Sequence, residues 1–288
     1  MGITKVFFFL PAVILLSIFL IYPLFQTIYL SFTSPNGQFI GINNYINILS
    51  RKEVLNLENF PIPPLGALIH NLLWTCIHLP LSIFLGLIFA VLLRNVKGGT
   101  IIKSIIFTGM VIPLIVGGLL IRFSFESGPG IVPAFFQILG IKSLSKNWIA
   151  YPDTALFALI LGSVWLWTGF NLVIYSAALV GIPKEIEEAS MVDGANPIQR
   201  FFYIILPLLK PVTLTTTMAT FIFELKTFDI VYISTRGGPG DASMTLALLM
   251  YFYAFRGLDY NSAATVAVFL TLLTLIPAFL MIRQYIKT

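Results

Sequence analysis

From Val6 to Phe32 the chain carries no Asp, Glu, Lys or Arg. About 20 mostly apolar residues in a helix are enough to cross the ~30 Å hydrocarbon core of a bilayer. A helix also satisfies every backbone N–H and C=O within its own segment, which hydrocarbon demands. Further apolar runs return at residues 66–93, 101–125, 154–180, 208–233 and 261–282. The pattern predicts an all-α integral membrane protein of about six transmembrane helices, with one transmembrane domain over residues 1–288. The composition agrees: 58% of residues are hydrophobic and 10% charged, against roughly a quarter charged in soluble domains. The first run exceeds the apolar region of a signal peptide and no small-x-small cleavage site follows it, so an uncleaved anchor is expected.

The net charge of +5 does not call for a nucleic-acid partner in a chain of this class. It matches Lys and Arg gathered at the cytoplasmic ends of spans. With the N-terminus inside, Lys5, Arg94, Lys97, Lys103, Lys184, Arg200, Lys210, Arg283 and Lys287 fall in the cytoplasm. Arg51, Lys52, Lys142, Lys146, Arg236 and Arg256 fall outside, mostly in longer loops that weigh less. Both termini are then cytoplasmic. The single cysteine, Cys76, excludes an internal disulfide or a Cys-based metal cluster and is expected to be a small buried hydrophobe. His70 and His78, two turns apart with no acidic neighbour in sequence, read as core histidines.

Between the fourth and fifth runs lies the densest charged stretch, residues 181–207, with Lys184, Glu185, Glu187, Glu188, Asp193 and Arg200. Such a load cannot sit in hydrocarbon. Pro183 suits a first helical position, Asp193-Gly194-Ala195 a turn, and Asn196-Pro197-Ile198-Gln199 a restart with a capping box. The reading is two short helices meeting at an angle, a rigid protrusion suited to docking.

On Glu188-Ala189-Ser190, Asp193-Gly194-Ala195 and the downstream Ile205-Leu206-Pro207, this stretch resembles the EAA loop of ABC-importer permeases. Thr227-Phe228-Asp229, Thr235-x-Gly237-Gly238-Pro239, Tyr253-Ala254-Phe255 and Ser262-Ala263-Ala264 are similar to the carbohydrate-uptake branch, the maltose, glycerol-phosphate and trehalose-type subunits. The chain lacks the extra N-terminal helices and large external domain of the maltose-type subunit, and Ser190 stands where the motif has a second Ala. The resemblance implies a type I importer permease fold with a cytoplasmic coupling loop. It implies docking on an ATPase subunit through Glu188, Ala189, Asp193, Gly194, Ala195 and Pro197. It also implies a second related permease subunit, two ABC ATPase subunits, an extracytoplasmic solute-binding protein and a place in the cytoplasmic membrane. No Gly-Lys dipeptide occurs, so no phosphate-binding P-loop is present. ATP and Mg are accordingly expected on the partner ATPase subunits, with no cofactor, metal or catalytic residue in this chain.

The fifth run is unusual in carrying Glu224, Lys226 and Asp229. Counted from Pro211, Glu224 lies roughly 20 Å in, near the midplane, where ionisable groups are costly and usually line a cavity. Thr220, Phe223, Glu224 and Thr227 share one helix face. Hydroxyls, a carboxylate and a ring suit a sugar. On the fourth run, Trp165, Thr168, Gly169 and Asn171 reach similar depth, and in maltose-type relatives the solute contacts lie at the matching positions. Lys226 and Asp229 are spaced to pair, which leaves a helix-joining charge network as the other reading of these groups. The alternative function is an ion-coupled secondary transporter using Glu224, Lys226 and Asp229, although no inverted repeat supports it.

Overall fold

A computed structural model describes residues 3–287. The Lys5 and Lys287 side chains lie outside that description. The described residues are helical with no β-strand, save an isolated bridge between Thr33 and Phe39. Four helices are long and apolar enough to cross a bilayer: α1 (Phe8–Ser31), α3 (Ala67–Leu92), α7 (Pro152–Val180) and α13 (Tyr260–Lys287). Two bent pairs bring the number to six: α4 (Gly99–Val111) with α5 (Leu114–Phe125), and α9 (Pro197–Leu208) with α10 (Lys210–Leu225). The shorter helices are α2 (Asn43–Ser50), α6 (Ile131–Ile138), α8 (Lys184–Val192), α11 (Asp229–Ser234) and α12 (Leu246–Phe255).

Proline sets the breaks. Ile112, held extended by Pro113, ends α4, and α5 leaves at 103°. Pro211 lacks the N–H that would continue the ladder, and α10 leaves α9 at 67°. Two π-helical turns, Ser17–Ile21 and Phe201–Ile205, each close on the residue before a proline, Tyr22 before Pro23 and Leu206 before Pro207. A proline ring pushes against the carbonyl four residues back, and the wider turn relieves it.

The core gathers on α7. Over its apolar window 61% of residues are buried, against 33% in α3 and none in α1. Helix α7 packs along α3, α4 and α5. Small residues let backbones approach: a Cβ on Gly86 of α3 would stand 2.4 Å from the Asn171 Cβ, and one on Gly169 would stand 2.8 Å from Ile106 O on α4. Polar groups join the ends of helices remote in sequence. Asn261 Nδ2 donates to Thr33 O at 2.7 Å and to Leu30 O at 3.0 Å, tying α13 to α1. His70 Nε2 accepts from Leu65 N at 2.9 Å, so its Nδ1–H donates to Met244 O at 2.8 Å. Asn71 Oδ1 accepts from Leu246 N at 2.8 Å. Glu53 and Tyr253 hydrogen-bond on the same side of the molecule.

The fifth run ends sooner than its apolar length suggests. Helix α10 stops at Leu225, Lys226 and Phe228 leave helical geometry, and Thr245 Oγ1 takes the Thr227 carbonyl at 2.9 Å. Residues 229–233 belong instead to α11, whose Ser234 Oγ donates to Gly118 O at 2.7 Å on α5. Cys76 is exposed on the flank of α3 rather than buried in the core. Three residues further along, Leu79 is already half-buried beside the buried His78.

Candidate functional site

The charged stretch folds into two short helices joined by one tight turn. Pro183 stands just before α8, as its N-cap rather than its first helical residue. Helix α8 ends at Val192, and Gly194 follows with φ +81°, a left-handed conformation that glycine adopts freely. Ala195 N closes the turn on Ser190 O at 3.0 Å. Asn196 then starts α9 with a complete capping box: Gln199 N donates to Asn196 Oδ1 at 2.8 Å, and Asn196 N donates to Gln199 Oε1 at 2.9 Å. Ser190 spends its hydroxyl inside α8, donating to Glu187 O at 2.6 Å, so its extra oxygen leaves the surface undisturbed.

The outer surface of this knuckle is open. Glu188, Ala189, Asp193, Gly194 and Pro197 are exposed and Ala195 is half-buried. Among them project Val192, 89% exposed, and Ile198, 70% exposed. On its inner side the Arg94 guanidinium grips both the Glu187 carboxylate and, at 2.9 Å, the Leu179 carbonyl. The turn between α3 and α4, the end of α7 and the knuckle therefore form one unit. Through α9 the knuckle runs into α10 across the 67° bend.

A second polar cluster lies midway along the bundle. Glu224 of α10 is 2% exposed, and its Oε1 accepts a hydrogen bond from His78 Nδ1 of α3 at 2.6 Å. His78 has an acidic partner after all, 146 residues away in sequence. Thr220 Oγ1 donates to Asn171 Oδ1 of α7 at 3.4 Å. His78 Nε2, Glu224 Oε2, Asn171 Nδ2 and Thr216 Oγ1 are buried with no hydrogen-bond partner. Glu224 is thus turned into the bundle between α3 and α10 and does not stand on an open surface.

The remaining expected positions divide. Phe223 is 54% exposed and lies 5.2 Å, centroid to centroid, from Trp167, which also meets Phe170 edge-on at 5.7 Å. Thr227 and Trp167 are half-buried, and Lys226 is exposed. Among the described residues Lys226 forms no ion pair with Asp229. It closes α10 instead. Trp165 and Gly169 turn toward α4, where they meet Gly109 and Ile106. The Thr168 hydroxyl is spent within α7 on Val164 O at 2.7 Å. The structure therefore groups Asn171, Thr220 and Glu224 inside the bundle and Phe223 with Trp167 at its surface. Thr168 and Gly169 are buried between helices, whereas Trp165 borders α4 at Gly109 and is 43% exposed. Sequence reasoning did not single out Trp167, and it read His78 as a core histidine, which is buried as expected but has Glu224 as a partner. Only the i, i+4 relation of Trp167 to Asn171 pointed to the first, and no local signal pointed to the partner of the second.

Comparison with known proteins gives a consistent result. Residues 82–286 match the family described as the binding-protein-dependent transport system inner membrane component. The chain is 56% identical to a probable ABC transporter permease protein of Pyrococcus horikoshii, with 98% of each chain covered. It is 29% identical to the permease protein MalF of the trehalose/maltose transport system of Thermococcus litoralis, over 96% of this chain and 92% of that one. A bacterial ABC transporter involved in the import of the acidic polysaccharide alginate has the same fold, with a TM-score of 0.75 at 18% identity over 97% of this chain and 94% of that one.

Proposed function

The chain belongs to the inner-membrane components of binding-protein-dependent transport systems, and from that premise we propose that it forms part of the translocation path for a sugar or sugar-like solute. The knuckle of α8 and α9 carries the reading. It is exposed, held at the start of α9 by a capping box, clamped from within by Arg94 and joined to α10 through a single bend. A separate ATPase subunit docks on its Ala189, Asp193, Gly194, Ala195 and Pro197 surface, with Glu188 at the rim. ATP and Mg act there and not in this chain, which is a transport subunit without chemistry of its own. Both termini and the knuckle lie in the cytoplasm, in keeping with Arg94, Lys97, Lys103 and Lys184 on that side. A second related permease, a second ATPase subunit and an extracytoplasmic solute-binding protein complete the importer.

The solute meets the face where Phe223 lies against Trp167, with Thr227 following just past the end of α10. Flat rings take the C–H faces of a pyranose, and hydroxyls and backbone groups take its oxygens. Similarity to a trehalose/maltose system permease supports a carbohydrate, and Lys226 beside the face admits an anionic one.

One experiment tests both the motor and the orientation. After Cys76→Ser, the complete importer with Val192→Cys, an exposed position beside the bend, is reconstituted into proteoliposomes of known sidedness, and uptake of trehalose and maltose is followed. Uptake should need ATP on the knuckle side, and a thiol reagent confined to that side should block it. Uptake driven by an ion gradient without ATP, or labelling of the bend from the face where binding protein acts, overturns the proposal.

A further inference from the structure

The solute face is built by α7 and α10, yet the residue that fixes its shape belongs to α3. Successive residues on a helix are about 100° apart. Turning Glu224 inward to His78 therefore sets the rotation of α10 about its own axis and directs the neighbouring Phe223 outward against Trp167. His78 also stands edge-on to Trp167, with centroids 6.5 Å apart and planes at 87°. Trp74, buried one turn earlier on α3, closes the other side of the imidazole at 6.4 Å. The His78 ring is fully buried, so this arrangement has no solvent to relax into.

We propose that His78 is a positioning residue for solute selectivity: by holding Glu224 inside the bundle it fixes the pitch of Phe223 against Trp167. The proposal rests on the carbohydrate reading of that face. No other acidic side chain reaches His78 in an ion pair among the described residues, and Glu224 pairs with no Lys or Arg, so each group depends on the other. A buried carboxylate released from its partner would rotate toward other polar surroundings, turning α10 and Phe223 with it. Loss of His78 should then alter which solutes pass, beyond altering how much protein folds.

The test uses the complete importer in proteoliposomes with His78→Leu, which abolishes the hydrogen bond, and His78→Gln, whose amide can still donate to Glu224. Uptake of trehalose, maltose, lactose and sn-glycerol 3-phosphate is compared at equal amounts of assembled complex. His78→Leu should change the ratio between at least two of these solutes by on the order of tenfold, the scale of a single misplaced pocket contact. His78→Gln should restore the wild-type ratio. In parallel, the complex is labelled with fluorotryptophan and the Trp167 resonance is assigned through Trp167→Phe. That resonance should move in His78→Leu and return toward its place in His78→Gln. Equal loss for all solutes in His78→Leu, or an unmoved Trp167 resonance, overturns the proposal. If the wild-type importer carries none of the four solutes, the carbohydrate reading falls, and the Trp167 resonance alone decides whether His78 positions the face.

Discussion

The close approach of α3 to α7 at Gly86 yields the sharpest stability prediction. A Cβ added at Gly86 would lie 2.4 Å from the Asn171 Cβ, 2.9 Å from Leu172 N and 3.0 Å from the Asn171 carbonyl carbon. Carbon atoms sit comfortably at about 3.5–4.0 Å, so the overlap is about 1 Å. Two of the three atoms are backbone of α7, which cannot rotate away as a side chain can. Helices α3 and α7 must separate, and overpacking of this kind costs about 1–3 kcal/mol. Replacing glycine inside a helix returns about 0.5–1 kcal/mol of chain entropy. Gly86→Ala should therefore destabilise by up to about 2.5 kcal/mol, with a central value of about 1.3 kcal/mol, roughly a tenfold drop in the folded-to-unfolded ratio. Gly117→Ala is the internal control. There the added Cβ meets only the ends of the Leu166 side chain, Cδ1 at 3.0 Å and Cδ2 at 3.3 Å, which can swing aside. Thermal unfolding of the detergent-solubilised protein should lower Tm for Gly86→Ala and leave or raise it for Gly117→Ala. Equal Tm for the two variants would refute the claim that backbone contact, and not glycine itself, sets the cost.

Two further outcomes follow from hydrogen bonds that join or end helices. Asn196→Ala removes the acceptor for Gln199 N and should destabilise the start of α9 by about 1 kcal/mol, read as faster amide exchange at Ile198, Gln199 and Arg200 while α10 keeps its protection. Asn71→Leu leaves Leu246 N buried without an acceptor and frees the Leu225 carbonyl, so Tm should fall by an amount equivalent to about 1–3 kcal/mol.

What could be read in advance tracks the sequence distance over which each signal acts. The capping box at Asn196 and Gln199 is written in four consecutive residues, and the structure forms it in full. The apolar runs are equally local, so the all-α membrane class was legible from Val6 onward. Pro113 marked a break, but the 103° bend depends on α4 and α5 each finding their own seat along α7. The end of α10 was misplaced for a related reason. Asp229 to Ile233 is apolar enough to continue a span, and only the Thr245 hydroxyl and the Gly118 carbonyl, both remote, draw it away. The His78–Glu224 pair was invisible because its two members lie 146 residues apart, and the polar neighbours of Glu224 in its own run, Lys226 and Asp229, pointed to a pairing there instead. Helical spacing put Thr220, Phe223, Glu224 and Thr227 on one face of α10; Thr220 and Glu224 do turn inward together, but Phe223 turns outward and the helix ends before Thr227.

The bend at Leu209 makes α9 and α10 the two arms of a crank. Helix α10 carries Glu224 about 21 Å beyond the elbow, so a tilt of roughly 5° there sweeps the carboxylate sideways by about 2 Å. That stroke is comparable to the 2.6 Å separation it would have to break. A tilt of a few degrees at the elbow is therefore enough to part Glu224 of α10 from His78 of α3, because the length of the lever multiplies it.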